Sequence, residues 1–482
     1  MSFLTQIAQR AGSAADALRE ASERLVQPTL RLGVTGLARS GKTVFTTALV
    51  HHLLTGNPLP AFRAAAEGRL RRATLDHQPD DAVPRFPFEE HLATLLEARR
   101  WPRSTTRIGE LRLDLDVERV RGWRSGPGRL ALDIVDYPGE WLLDLALIDL
   151  DYRTWSRQVL DESRRPHRTT AAAPWRAHLA GLDSSGPADE LVIARASDAF
   201  KTYLAALRAG PEAVATTPPG RFLMPGDLEG SPALTFAPLD LPPEAAIAAK
   251  SLAALMERRY EAYKTHVVRP FFREHFQRID RQIVLVDVLA AVDAGPQAVA
   301  ELEEALDRVL LTFRAGRNGF LSSLFSPRAD RVLFAATKAD HIHHTGHDRL
   351  ERLLRHLVAR AVRRTEAAGA RVGTVALAAV RATRETTVRE GGLTLRAVAG
   401  VPEAGERVGD EVFNGETEAA IFPGELPERP EAVFAGEVAP GSLRFPRFRP
   451  PQVSQDAAGR LGSLPQIRLD RALEFLLGDK LA

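Results

Sequence analysis

The fold is decided by residues 30–43, which have the sequence LRLGVTGLARSGKT. The apolar positions of residues 30–35 predict a short strand. Residues 36–43 follow, and they have the pattern of a glycine, four intervening residues, Gly-Lys and then a serine or threonine. Apolar residues at helical spacing then continue from Phe45 to Leu54. Strand, glycine-rich loop and helix in this order predict a P-loop, whose backbone amides and helix N-terminus cradle phosphate oxygens.

Each residue type in this loop has an expected task. Lys42 is expected to reach the β- and γ-phosphates and to act in catalysis, and the Thr43 hydroxyl to bind Mg²⁺. The other nucleotide-binding candidates in the loop and the first helical turn are Gly36, Ala38, Arg39, Ser40, Gly41 and Val44.

A second element, DYPG at residues 136–139, ends a predicted buried strand over 130–136. Its Asp-x-x-Gly form matches the switch element of GTPases. Asp136 would hold Mg²⁺ through water, and the Gly139 amide would sense the γ-phosphate. The glutamine that usually follows is absent and Glu140 takes its place, which makes Glu140 a candidate catalytic residue.

A GTPase also needs a hydroxyl between these two elements, which closes over Mg²⁺ and the γ-phosphate. The stretch WPRSTT at residues 101–106 offers the candidates. Thr105 is the first choice, as nucleotide contact and magnesium ligand, and Thr106 is the alternative. A solvated turn is the competing interpretation.

The stretch TKAD at residues 337–340 follows a predicted buried strand over 332–336 and matches the element that selects guanine. The Asp340 carboxylate can accept from both N1–H and the 2-amino group of guanine, a donor pair that adenine lacks. The Lys338 stem would lie flat on the base. Thr337 replaces the commoner asparagine, which weakens the expected tie to the P-loop. Further candidate contacts are His341, Ala379 and Val380, the last two on position alone.

Histidines cluster after this element, at positions 341, 343, 344 and 347. Histidine-rich tracts chelate metal ions, but no acidic group close by in the sequence completes a site. A solvated loop beside the base site is therefore expected.

Composition excludes several classes of protein. The absence of cysteine excludes disulfides, thiol catalysis and cysteine-based metal sites. A net charge of +2 argues against a nucleic-acid binder. The sequence has no apolar run of membrane-spanning length, so membrane association is expected to be peripheral at most. Without a secretory signal pattern, a cytoplasmic location is expected.

The predicted fold class is α/β, a Ras-like P-loop NTPase core with a large helical insertion and a small β-rich C-terminal insertion. Gly139 and Thr337 are 198 residues apart, whereas one strand–helix–strand passage needs roughly 50–60 residues. The expected divisions are an N-terminal amphipathic helix at 1–28, a core at 29–139, 279–384 and 466–482, a helical insertion at 140–278, and a β-rich insertion at 385–465.

Arg39 occupies a position where most small GTPases have a small residue. The string GLARSGKT at residues 36–43 resembles the P-loop of guanylate-binding proteins and atlastins. That resemblance implies that Arg39 acts in cis as an arginine finger. A surface arginine with a local salt bridge is the alternative.

The whole chain resembles the YcjX-like family of bacterial P-loop proteins. The matching stretches are the P-loop, 101–105, 136–141, 281–287, 336–341 and the tail at 467–481. The resemblance implies a cytoplasmic, stress-associated GTPase that binds GTP or GDP with Mg²⁺.

The expected function is GTP binding with slow hydrolysis, as a conformational switch or a nucleotide-driven assembly device. Expected partners are the guanine nucleotide, a second copy through the GTPase face, and a protein effector that the sequence does not name. Two alternatives stay open: an ATPase or kinase-type P-loop enzyme, and a nucleotide-binding scaffold without turnover.

Overall fold

The computed structural model describes residues 28–37, 39–103, 107–120, 126–209, 217–242, 246–311, 329–367, 369–439, 441–453 and 462–482. Its centre is a seven-stranded sheet with the order β2-β3-β4-β1-β5-β6-β7. The strands are β1 (Thr29–Gly36), β2 (Leu70–Asp76), β3 (Gly109–Arg119), β4 (Gly126–Asp136), β5 (Arg281–Val286), β6 (Arg331–Ala336) and β7 (Arg371–Ala376). The N-terminal helix predicted at 1–28 lies almost wholly outside the described residues.

Most of this sheet is parallel. Strand β1 pairs in parallel with β4 and β5, and the parallel pairing continues through β6 to β7. Strands β2 and β3 extend the other edge in antiparallel pairing. The protein is thus a mixed α/β fold, and the carboxyl ends of β1, β4, β5 and β6 meet at one edge, where ligands bind in open α/β sheets.

Helices cover both faces of the sheet. They are α1 (Lys42–Thr55), α2 (Arg63–Ala66), α3 (Phe88–Leu96), α4 (Glu140–Leu143), α5 (Tyr152–Ser163), α6 (Thr169–Ala180), α7 (Glu190–Ala209), α8 (Leu252–Tyr263), α9 (Arg269–Glu274), α10 (Val288–Ala294), α11 (Pro296–Leu311), α12 (His347–Leu357), α13 (Ala359–Ala367), α14 (Glu431–Phe434) and α15 (Leu469–Leu477). Helices α1 and α15 share one buried cluster with the sheet, whereas α10 to α13 share another.

The helices of 140–278 are joined to the sheet by a continuous apolar core. Trp155 stacks on Tyr260 with ring centroids 5.0 Å apart, and Trp175 stacks on Tyr203 at the same distance. These rings belong to the same buried cluster as Val284 of β5. Burial of this aromatic surface holds the helices of 140–278 together, and the shared apolar cluster joins them to the sheet.

A second set of strands follows the seven-stranded sheet. These strands are β8 (Arg384–Glu390), β9 (Leu393–Gly400), β10 (Arg407–Val408), β11 (Glu411–Val412) and β12 (Ala419–Ile421). Strands β12, β9 and β8 form one antiparallel sheet, and β10 pairs with β11 in a small hairpin.

Several predicted elements differ from the structure at their ends. The near-continuous apolar run at 283–289 predicts a buried strand, but β5 ends at Val286, because the Asp287 side chain accepts the Ala290 amide and starts α10. The sequence of 244–263 predicts one helix, whereas α8 begins at Leu252, with Ser251 as its N-cap. A single helix is predicted over 349–368, and the structure divides it into α12 and α13.

Candidate functional site

The loop between β1 and α1 curls around the amino end of the helix. Gly41, the N-cap of α1, has a φ of 85°, and Arg39 has a φ of 63°. Both are left-handed conformations, which bend the backbone sharply within three residues. The buried Lys42 side chain crosses this bend, and its Nζ donates to the carbonyl oxygens of Gly36 at 2.6 Å and Leu37 at 3.4 Å. Backbone amides at the start of α1 and the Lys42 charge suit an anion here.

The Asp-x-x-Gly element meets this loop through Gly139. A methyl group on Gly139 would lie 2.2 Å from the Gly36 carbonyl oxygen, so this close approach of two backbones requires glycine. Asp136 is buried at the end of β4 and is the register partner of Val34 in β1. The parallel pairing therefore brings Asp136 to the edge of the sheet that carries the loop.

Thr43 connects the loop to the segment before residue 104. Its Oγ1 donates to the Arg103 carbonyl oxygen at 3.4 Å. Thr105 and its alternative Thr106 lie outside the described residues, as does Ala38, so the contacts expected of these three remain predictions.

Asp340 follows β6, which lies two strands along the sheet from β1, and lines the same cleft as the phosphate loop. Its Oδ2 accepts the Ala382 amide at 2.8 Å, which fixes the orientation of the buried carboxylate. The neighbouring His341 has an Nδ1 that is buried without a hydrogen-bond partner among the described residues. Burial lowers the pKa of His341, so the ring is neutral at pH 7. Ala379 and Val380 line the cleft beside these residues.

Lys338 and Thr337 are held by the neighbouring strand β5. Lys338 has a φ of 59° and forms an ion pair with Asp287, directly after β5. The Thr337 hydroxyl donates to the Val286 carbonyl oxygen at 3.3 Å. In this structure threonine thus ties the base motif to β5.

One cavity of about 810 Å³ joins the two ends of the cleft. This volume suits a ligand of nucleotide size. Eight cationic side chains and three carboxylates line it, an excess of positive charge that attracts an anion. The predicted site residues that line it are Arg39, Ser40, Gly41, Lys42, Thr43, Val44, Thr337, Lys338, Asp340, His341, Ala379 and Val380.

The sequence motifs did not predict one wall of this cavity, which comes from the segment after β9. Trp101 Nε1 donates to the Phe448 carbonyl oxygen at 2.6 Å, and the Phe448 ring stands edge-on to His341 at 5.7 Å. Phe448 therefore contacts both the segment before residue 104 and His341, which follows the TKAD stretch. The interleaved aromatic and basic residues of FPRFRPP, 445–451, are the sequence signal for this wall.

Glu140 is not brought to the cavity lining. Its side chain is buried, and the Arg208 guanidinium in α7 lies 3.8 Å from a carboxylate oxygen. A methyl group on Gly220 would lie 2.2 Å from the Glu140 carbonyl oxygen. Glu140 is thus packed against the helical region.

A buried carboxylate, Asp144, continues this link from the Asp-x-x-Gly element into the helical region. It accepts the Gly220 amide and the Tyr263 hydroxyl, each at 2.6 Å. Burial raises the pKa of Asp144 to about 6. An unfolded aspartate titrates near pH 3.9, so the folded protein binds the proton more tightly between about pH 4 and 6.

Asp144 is expected to make the protein less stable as pH rises from about 4 to 6. The stabilisation that comes from the Asp144 proton is complete below the unfolded pKa and is lost as pH rises through the folded pKa. It is on the order of 3 kcal/mol in all. The Asp144→Asn variant lacks it. Urea unfolding at pH 4, 5, 6 and 7, followed by tryptophan fluorescence, compares parent and variant. The free-energy difference between them should fall across this window and then level off; Asp149→Asn, at an exposed aspartate, is the control.

The fold and the cleft define a P-loop protein. The chain belongs to the YcjX-like family, DUF463, whose model matches residues 30–481. It is 38% identical to the Ras-like GTPase YcjX of Escherichia coli (strain K12) over 473 residues, which cover 95% of this chain and 97% of that protein. It is 33% identical to the Ras-like GTPase YcjX of Shewanella oneidensis over 476 residues, 94% of each chain.

Within the described residues, no helix combines the length and the apolar character needed to cross a membrane.

Proposed function

We propose that this protein binds GTP and GDP with Mg²⁺ and hydrolyses GTP. The observation that carries the proposal is that Lys42 of the phosphate loop and Asp340 of the base motif line one cavity of about 810 Å³. A phosphate-binding lysine at one end and a carboxylate for guanine at the other match the two ends of a guanine nucleotide. The name Ras-like GTPase borne by both relatives supports the same nucleotide.

The oxygen donors near the loop fit Mg²⁺. A hydroxyl at Thr43 and a buried carboxylate at Asp136 are the ligand types that this ion prefers, and Thr105 is proposed as a further one. When bound, Mg²⁺ compensates charge on the β- and γ-phosphates.

Hydrolysis would depend on charge neutralisation by this chain's own residues. Lys42 is proposed to neutralise the charge on the β- and γ-phosphate oxygens. Arg39, which is exposed in the same cavity, is proposed to neutralise the charge that develops on the transferred phosphoryl group. The burial of Glu140 toward Arg208 favours Arg39 over Glu140 as the residue that drives hydrolysis.

A conformational switch or assembly device is the proposed use of this cycle. Gly139 touches the P-loop, and the helices of 140–278 begin at the next residue. A change in the contacts to the γ-phosphate can therefore be transmitted through Gly139 to these helices. We propose that 140–278 and 385–465 are insertions in a Ras-like core, with a second copy or a protein effector as partner. A stress-related, cytoplasmic role is proposed from the family resemblance.

A competition experiment on nucleotide-free protein tests the proposal. A fluorescent GDP analogue should be displaced by GTP and GDP but not by ATP, and phosphate release should require Mg²⁺. Displacement by ATP would favour the ATPase or kinase alternative. Tight GTP binding with no phosphate release would favour the scaffold alternative.

Asp340→Asn is expected to weaken GTP and GDP binding by roughly tenfold or more, because charged hydrogen bonds contribute about 1.5–3 kcal/mol each. The asparagine oxygen can still accept the Ala382 amide, which turns its amide nitrogen toward the base. Xanthine nucleotides should gain affinity, since their 2-oxo group accepts from that nitrogen. Calorimetry with GDP and XDP measures both changes.

The matched control is Asp348→Asn, at an exposed aspartate paired with Arg468. It should leave both affinities unchanged. An Asp340→Asn protein that keeps the parent's preference for GDP over XDP would contradict guanine recognition by Asp340.

A further inference from the structure

Three metal-ligating side chains converge where the loop after the base motif meets β8. His343 and His344 lie in that loop, between Asp340 and α12, and Glu385 is the second residue of β8. Their ligand atoms all lie within 4.8 Å of one another. The sequence close to the histidines offers no acidic residue that completes a site. Strand β8 supplies one, Glu385, which lies 41 residues after His344.

The distances suit a small metal ion. His344 Nδ1 lies 2.7 Å from Glu385 Oε2, and His343 Nε2 lies 3.7 Å from the same oxygen. Tetrahedral Zn²⁺ with nitrogen and oxygen ligands at about 2.0–2.2 Å holds them roughly 3.3 Å apart. The two spacings to Glu385 bracket this value, and the two histidine nitrogens lie within 4.8 Å of each other.

The surroundings orient the ligands. His343 Nδ1 accepts the Thr345 amide at 3.4 Å and lies 3.0 Å from the Thr345 hydroxyl. Metal binding through Nε2 therefore requires the proton to move to Nδ1, which then donates to that hydroxyl instead. Glu385 Oε1 accepts the His344 amide at 3.1 Å, which leaves Oε2 facing the two rings. The His344 side chain is 62% exposed, so water can complete the coordination.

We propose that His343, His344 and Glu385 bind one divalent transition-metal ion, Zn²⁺ by preference. Two imidazoles and one carboxylate favour Zn²⁺ over Mg²⁺ or Ca²⁺, which prefer oxygen ligands throughout. The ion would connect the loop between Asp340 and α12 to β8 and so to the strands that follow the seven-stranded sheet. This site is independent of the proposed nucleotide chemistry.

Cobalt spectroscopy tests the proposal without nucleotide. Chelator-treated, nucleotide-free protein, prepared without a histidine tag, is titrated with Co²⁺, and visible absorption is recorded. The parent should bind one Co²⁺ with the strong absorption of a four-coordinate site, and one equivalent of Zn²⁺ should displace it. His344→Ala and Glu385→Gln should each weaken Zn²⁺ binding by at least roughly 10–100-fold, which is the loss in affinity when an outer-shell partner is removed.

Two matched variants serve as controls: His266→Ala, at an exposed histidine in the helical region, and Glu418→Gln, at an exposed carboxylate beside β12. Both should bind like the parent. Thermal unfolding of the metal-free proteins checks that each variant is folded; glutamine retains an acceptor for the His344 amide. Equal Zn²⁺ binding by the parent and Glu385→Gln, or only the weak absorption of six-coordinate Co²⁺, would overturn the proposal.

Discussion

Replacing Lys42 with alanine is expected to abolish measurable GTP and GDP binding. The lysine charge is held at the phosphate loop by the Gly36 carbonyl, 2.6 Å from Nζ, and is the main point charge available to the β- and γ-phosphates. Two charged hydrogen bonds at about 1.5–3 kcal/mol each correspond to a loss on the order of 100- to 10,000-fold in affinity. Isothermal calorimetry in Mg²⁺ buffer measures the loss directly.

Lys480→Ala is the matched control, because Lys480 is an exposed lysine after α15. It should bind nucleotide like the parent. The Lys42 variant also loses the side chain that caps the Gly36 and Leu37 carbonyls, so its unfolding temperature is measured alongside. A folded variant with unchanged GTP affinity would show that the loop is not the phosphate site.

Those parts of the site that are local in sequence could be predicted. The P-loop occupies residues 36–43, and its geometry depends on neighbours within that stretch: two left-handed residues and the start of a helix. The TKAD stretch at 337–340 likewise follows a buried strand directly. Contiguous motifs carry their own geometry, so residue type and spacing suffice.

The parts that depend on distant contacts could not be predicted. Trp101 and Phe448 are hydrogen-bonded across 347 residues, and no periodicity or spacing relates them. Strand β2 was also missed. It is an edge strand with two adjacent exposed arginines, Arg71 and Arg72, which conceal the alternation expected of a half-buried strand.

The remaining catalytic question concerns Arg39 and Glu140, the two candidates for the residue that drives hydrolysis. In the structure they have different surroundings. Arg39 is exposed within the cavity, whereas Glu140 is buried against the helical region near Arg208. Only the arginine side chain is free to swing without repacking a core.

Arg39→Ala is therefore expected to lower the turnover number by roughly three orders of magnitude, the contribution of an arginine finger. GTP affinity should change little, because the guanidinium would act on charge that develops only in the transition state. Alanine, like arginine, has a Cβ, so the left-handed φ of 63° at residue 39 costs about the same free energy in the variant as in the parent. Single-turnover hydrolysis of radiolabelled GTP, at several protein concentrations, measures the effect.

The concentration series matters because a partner copy can steer a finger that acts in cis. If it does so, the parent's rate should rise with protein concentration and the variant's rate should not. Arg407→Ala, at an exposed arginine of β10, is the matched control and should hydrolyse GTP like the parent. Equal single-turnover rates for parent and Arg39→Ala at the highest concentration would leave Arg39 a structural residue. Hydrolysis would then depend on Glu140 released from its buried position, or on an activating partner.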